Sequence, residues 1–345
     1  MIGVSVALIT LMGCSSLSYY WQAFNGQGEI LAREQPISDL LQEPNLDPQL
    51  RARLELAQRA RRFAVTALAL PDNGSYTRYA DLQRPFVVWN VVATPALSVT
   101  PRQWCYWIAG CFNYRGYFHK EDAHALAQTF QHQGDDVAIA GAWAYSTLGW
   151  FDDPLLNTML EQDESGLVGT MFHELAHQTV YVDNDSSFNE SFANAVEEEG
   201  LRRWYAQQGQ AARYQAYLQR QQQRDEVVHM LVATREKLRL LYTGTLSAAQ
   251  KRAQKQLYFS ELKQEYQHWR DSHSDAGFDR FMQQDLNNAK LALVATYMDK
   301  VPVFLAMLAA CHGDLPAFYR EARRIGKLPL AQREAALANY VQPAS

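Results

Sequence analysis

GLVGTMFHELAHQT, residues 166–179, is the stretch on which the fold turns. Leu167, Val168, Met171, Phe172, Leu175 and Ala176 give apolar cover on nearly every side of a helix, and a helix that is apolar all round is a buried one. Asp163, Glu164 and Ser165 precede it and supply an N-cap and an acidic first turn. His173 and His177 stand at i and i+4, so their imidazoles share one face a turn apart and suit a single metal ion. Burying two imidazoles and the carboxyl of Glu174 without metal or hydrogen-bond partners would be costly. The segment therefore reads as a central helix whose polar residues form a site. Glu174, beside the histidine face, is placed to act on a water held there.

A catalytic zinc takes three protein ligands and leaves one position for water, and two His with one Glu is a known set. Downstream of His177 the string NESFA, residues 189–193, opens a second helix, and Glu190 is the expected third ligand. Asp183, Asp185, Glu197, Glu198 and Glu199 compete for that place, and a Glu190 that merely caps its helix is the bland alternative. Asn194, one turn past Glu190, is the expected partner that orients one of the two histidine rings.

The chain has 345 residues, 48% of them hydrophobic and 20% charged, with a net charge of −5. Such a composition excludes a disordered or collagen-like chain and suffices for a core without disulfide or metal clips. Near-neutral charge leaves no basic footprint for nucleic acid, and none is expected as a partner. No apolar run reaches the ~18 residues of a membrane-spanning helix.

The pattern along the chain reads as α+β, mainly α. An amphipathic helix is expected over 48–68, stopped by the Pro71–Gly74 turn. Residues 86–92, dense in β-branched and aromatic side chains, read as a buried strand. Strands over 103–108 and 111–118 make a hairpin around Gly110, a helix covers 120–132, and Val137–Ala140 and Ala144–Gly149 are extended. From 154 onward the chain reads as helical. Polar helices over 210–242 and 246–271 meet at Thr243-Gly244-Thr245 in an exposed antiparallel hairpin, either scaffold or an arm over a site. Helices over 278–299, 301–311, 314–325 and 330–341 follow. Cys105 and Cys111 flank Gly110, and a hairpin there brings their Cα atoms within the ~4.4–6.8 Å of a disulfide. That bridge is expected, with two reduced core cysteines as the alternative.

Residues 2–12 are an apolar run of signal-peptide length, followed by Gly13-Cys14-Ser15-Ser16. This resembles the lipobox of bacterial lipoproteins, which implies removal of residues 1–13, a lipid on Cys14 and an oxidising compartment. A buried N-terminal helix is the other reading. Ser15 resembles a signal for sorting to the outer membrane.

HELAHQ with NESFA resembles the active-site helices of the gluzincin zinc aminopeptidases. Together with WCYWIAGCFNYRGYF (104–118), AYSTLGWFDDPLL (144–156) and FNESFA (188–193), the chain looks more closely like a family of bacterial lipoproteins known as predicted aminopeptidases. The resemblance runs from Cys14 almost to the C-terminus. It implies a zincin-like catalytic core with a small mixed sheet and an active-site helix, followed by a helical C-terminal part. The expected layout is a signal peptide over 1–13, a metal-bearing core over 14–208, the hairpin over 209–275 and a C-terminal helical part over 276–345.

The function implied is a membrane-anchored peptidase with one zinc ion on His173, His177 and Glu190, and with Glu174 as general base. Tyr297 is the nominated donor to the oxyanion, with Tyr242, Tyr258, Tyr266, His229, Asn287 and Asn288 as alternatives, and Ala144–Leu148 is the strand that lines up substrate through Tyr145 and Ser146. Expected partners are a peptide or protein substrate and the envelope membrane, on its periplasmic side. The true aminopeptidases space the second His and the Glu further apart and carry a Gly-x-Met-Glu-Asn string for the substrate amine. This sequence has neither, so the zinc chemistry carries over and the exopeptidase mode does not. Competing readings are a zinc amidase acting on cell-wall peptides and a non-catalytic adaptor or chaperone with a structural metal. The last has no use for Glu174.

Overall fold

The computed structural model describes residues 19–106, 110–147, 149, 151–273, 277–295 and 300–340. Residues 1–13, Cys14 and Tyr297, named above, lie outside them. The chain enters through a helix over 19–32 (α1), then β1 (Glu34–Pro36), α2 (Ile37–Leu40) and the long α3 (Pro48–Leu68). Strands β2 (Arg78–Ala80), β3 (Val88–Thr94), β4 (Trp104–Tyr106), β5 (Gly110–Phe112) and β6 (Arg115–Tyr117) precede α4 (Lys120–His132) and β7 (Asp136–Ala142). After β8 (Leu155–Leu156) come α5 (Asn157–Leu160), α6 (Glu164–His177), α7 (Ser186–Gln207), α8 (Ala211–Thr243) and α9 (Ala248–Arg270). Helices α10 (Asp279–Gln283), α11 (Asn288–Ala295), α12 (Val301–Ala310), α13 (Leu315–Gly326) and α14 (Leu330–Ala338) complete an α+β, mainly α architecture. No described helix is long and apolar enough to cross a membrane.

The main core lies behind α6 and α7. Leu167, Val168, Met171, Phe172, Leu175 and Ala176 of α6 are all buried in it, as their all-round apolar pattern requires. Phe63 of α3, Phe172 and Trp204 form a cluster of mutually packed rings, and Phe188 and Phe192 of α7 pack on Phe304 and Phe318. Aromatic packing on both sides thus fixes the two motif helices against each other. Two glycines set how close they come. A Cβ on Gly200 would stand 2.6 Å from the Phe172 ring, and one on Gly169 2.7 Å from Glu197 Oε1.

Two small sheets flank this core. In one, β3 lies between β6 and β7, antiparallel to both, with Asn90 opposite Gly116 and Ala140. The other, β1-β2-β8, is mixed, since β2 runs parallel to β8. The cysteine ribbon forms, with Cys105 opposite Cys111 and joined to it by a disulfide. Its extent corrects the expected hairpin. Gly110 is not at the turn but pairs with Tyr106, and β6 leaves the ribbon to pair with β3.

Three further expectations change. Residues 144–147 belong to no strand, because they leave β7 to wrap around the buried Asp153. The expected helix over 278–299 is broken between α10 and α11, where Asn287 turns its side chain to cap Lys290 N and to hold Val137 O. The α8–α9 hairpin is antiparallel, with Lys251 near Tyr242 and Trp269 near Glu226, but it is not a free arm. Val227, Leu231, Leu238, Phe259 and Leu262 form a second core with Phe278, Met282 and Leu291. Buried Lys255 then ties the hairpin to the sheet through Asp136 at 2.5 Å and Ala96 O at 3.0 Å.

Candidate metal centre

α6 is capped by the Asp163 side chain, which accepts from Gly166 N at 2.8 Å, so the helix starts where the sequence places it. Its last turn carries His177. α7 is capped by Asp185, which accepts from Phe188 N and pairs with Arg333. The short connection between the helices is clamped by Asn189. That buried amide donates to Val182 O and accepts from Val182 N, each at 2.8 Å. The two residues of the Asn-Glu pair therefore divide the work: Asn189 holds the connection, and Glu190 on the next position turns to the histidines.

The donor atoms converge. His173 Nε2 and His177 Nε2 are 3.1 Å apart, Glu190 Oε2 is 3.3 Å from the former, and Oε1 is 3.8 Å from the latter. Zinc–ligand bonds of ~2.0–2.1 Å at tetrahedral angles separate neighbouring ligand atoms by about 3.3 Å. The spacing thus fits one ion of that size without rearrangement, and the donor set of two imidazoles and a carboxylate suits zinc. Among the described residues these three side chains form a group with metal-ligand spacing, all donors lying within 4.8 Å of one another.

Two of the acids that compete for the ligand position in the sequence are engaged elsewhere in the fold. Glu199 is held by Arg202 and Arg203, and Asp185 by its cap and Arg333. Glu197 sits on the far side of the first histidine, with Oε2 3.4 Å from His173 Nδ1. A carboxylate on the nitrogen turned away from the donor cluster fixes the tautomer and orientation of a ligating ring. The one sequence signal for this role is Gly169, four residues before His173 on the same face, whose missing side chain leaves room for Glu197. Asn194 is half-buried on α7 one turn past Glu190.

The electrostatics are those of a tight cluster. Burial pulls His173 down, but hydrogen bonds to Glu190 and Glu197 more than offset it and hold the ring well above the usual histidine range. His177 is pushed down to about 4 by burial and by the charge on His173. Glu190 is lowered, as its contacts with His173 outweigh burial. Glu174 is pushed up to about 7, first by burial and then by Glu190, Asp153 and Glu197, with His173 opposing. A carboxyl poised there can both take and return a proton near neutral pH.

Beside Glu174 the structure places residues that the sequence did not single out. Asp153 is buried and accepts from Thr147 N, Thr147 Oγ1 at 2.7 Å, Ser146 Oγ and Gln178 Nε2, the residue next to His177. Gln178 also reaches Ser75 and Asn73, so the 73–76 turn, the loop residues Ser146, Thr147 and Asp153 and the end of α6 are one hydrogen-bonded unit. Tyr145 and Ser146 ride on that loop. Tyr76, fully buried at φ 62°, has its phenol raised by burial and further by Glu174 and Asp153. Nothing local marks Asp153 or Tyr76, because an acid in a loop is ordinarily exposed. Of the other aromatic and amide donors near the hairpin, Tyr242 is bonded to Asn288 and Tyr266 to Asp279, while Asn287 and Asn288 hold backbone carbonyls. These belong to the scaffold.

Two helices that cross closely and bring two histidines and a glutamate to one point, with a buried carboxyl alongside, define a candidate metal centre in a mainly α protein. Residues 18–337 match the family described as "Putative aminopeptidase", and the chain belongs to it, which supports a peptidase-like function. No curated protein and no solved structure matches the chain.

Proposed function

We propose that the protein is a zinc-dependent peptidase of gluzincin type, tethered to the bacterial envelope by a lipid on Cys14 and facing the periplasm from the outer membrane. The convergence of His173, His177 and Glu190 on one point, with Glu174 on the adjacent helical position, carries this reading. Zinc held there would supply a Lewis acid and a water acidic enough to deprotonate near pH 7. Glu174 accepts the proton of the attacking water and delivers it to the leaving amine. Glu197 keeps His173 Nδ1 occupied, so Nε2 stays aimed at the donor cluster. Tyr145 and Ser146, on the loop that Asp153 fixes against the end of α6, are assigned to substrate contact. Tyr297 is assigned the oxyanion donor role, and Asn194 that of a polar partner that orients one of the histidine rings.

Metal analysis of the purified chain from residue 15 onward tests the site. The parent should hold about one zinc and Glu190→Ala should lose it. Glu174→Gln should keep the metal and lose peptide hydrolysis. A folded parent that takes up no metal, even with zinc added back, would overturn the proposal. Cleavage of muropeptides in preference to linear peptides would move it to the amidase.

A further inference from the structure

Helix α1 turns an apolar face to solvent. Tyr20, Trp21, Phe24 and Leu31 are exposed on it, Trp21 by 66% and Phe24 by 71%, and the Trp21 and Phe24 rings stack at 6.2 Å. At 3.6 residues per turn these four fall within an arc of about 100°. Gly28 lies among them with open space above it. Glu29, which pairs with Arg33 and Arg84, points to the opposite side.

The other side of the helix is fixed to the body. Ile30 is buried in the main core, and Gly26 lies against Phe118, whose ring a Cβ would meet at 2.1 Å. Gln22 donates to Gly116 O and accepts from Phe118 N, and Tyr19 stacks on Tyr106 at 4.8 Å. The apolar surface continues along ring contacts from Tyr20 to Tyr106, Phe112 and Tyr114 on and beside the disulfide ribbon. This face is therefore held in place rather than carried on a loose tail.

Its place in the chain names the occupant. Only Ser15, Ser16, Leu17 and Ser18 separate Cys14 from Tyr19, a reach of at most about 18 Å even when fully extended. A lipid on Cys14 thus holds α1 at the bilayer surface. Trp and Tyr favour the membrane–water interface, and a helix with one apolar and one polar side lies in its plane. Stable attachment also gains from a second contact beside an acyl chain. We infer that Tyr20, Trp21, Phe24 and Leu31 form a docking face that seats the protein body on a phospholipid surface in one orientation. The inference rests on the lipid anchor proposed above and adds a contact made by the folded body itself.

The test uses the full chain in vesicles of phosphatidylcholine, with and without bromine on the acyl chains, after mass spectrometry of Cys14. Brominated lipid should quench part of the tryptophan emission, and Trp21→Leu should remove that part. Equal quenching in parent and variant would overturn the inference. If Cys14 carries no lipid, the anchor reading fails by itself and flotation of the chain from residue 15 onward decides the face. The parent should float with the vesicles, and Trp21→Gln/Phe24→Gln should lower its partition about tenfold or more, with an unchanged circular dichroism spectrum. A parent that does not float overturns the inference, and so does a dimer in solution that the double substitution dissociates, since the face would then belong to a second copy.

Discussion

Replacing Glu197 by Gln removes one charge behind the metal centre and leaves its shape intact. Oε2 of Glu197 lies 3.4 Å from His173 Nδ1, while His173 Nε2 faces Glu190. The amide keeps the volume that packs over Gly169 but no longer holds the ring as an anionic acceptor. Losing a partner of this kind lowers metal affinity ~10–100-fold, or about 1.4–2.7 kcal/mol. The Glu197 side chain retains 22% exposure, and solvent screening places the expected effect in the lower half, at about 10–30-fold. A zinc dissociation constant from competition with a chromogenic chelator reads this directly, with thermal melts of the metal-free proteins as the control for folding. Gly169→Ala should act in the same direction, because its Cβ would stand 2.7 Å from Glu197 Oε1 and displace the carboxylate. Glu198→Gln, turned about 100° around the same helix, should change affinity less than about twofold. A Glu197→Gln protein that binds zinc within about twofold of the parent would refute the assignment of Glu197 as the residue that orients His173.

Three further outcomes follow from the packing. Burial raises the Glu199 carboxyl, but hydrogen bonds from Arg202 and Arg203 more than offset it, so its folded pKa lies below the unfolded one. Its contribution is then complete above the unfolded value of ~4.3 and lost as pH falls through the folded value. Glu199→Gln should cost about 2 kcal/mol in urea melts at pH 7, and its gap from the parent should narrow toward pH 3. Lys255→Met takes the cation away from the half-buried Asp136, which keeps the hydrogen bond from Asn288 N, and should lower stability by about 3 kcal/mol in the same assay. Cys105→Ser/Cys111→Ser should cost about 2 kcal/mol for so short a loop, and reductant should bring the parent down to the variant.

Much of the architecture is legible from periodicity and caps, since both are local. Asp163 caps α6 and the apolar residues of 167–176 bury it, as their pattern demands. α3, α4, the α8–α9 pair and β3 appear close to their expected bounds. The misses fall where a distant group competes with local preference. Residues 144–147 carry strand-like composition, yet Asp153 draws them into a loop. Asn287 breaks an otherwise helical run because Val137 O takes its amide. The polar α8–α9 hairpin reads as exposed because the partners that bury its stripe, Phe278 and Leu291, come later in the chain.

The site divides the same way. His173, Glu174 and His177 are set by i, i+1 and i+4 on one helix, a geometry fixed by the helical repeat before any tertiary contact forms. Glu190 stands out in the sequence among several acids of equal chemistry, and only the crossing of α7 over α6 at Gly169 and Gly200 brings its carboxylate to the histidines while sending Glu199 to arginines. The same crossing places Glu197 behind His173, and the packing of two loops gathers Asp153, Gln178 and Tyr76 beside Glu174. Helical spacing is written in neighbouring residues. Which carboxylate meets which imidazole depends on how closely two backbones approach, and that is decided by the whole core.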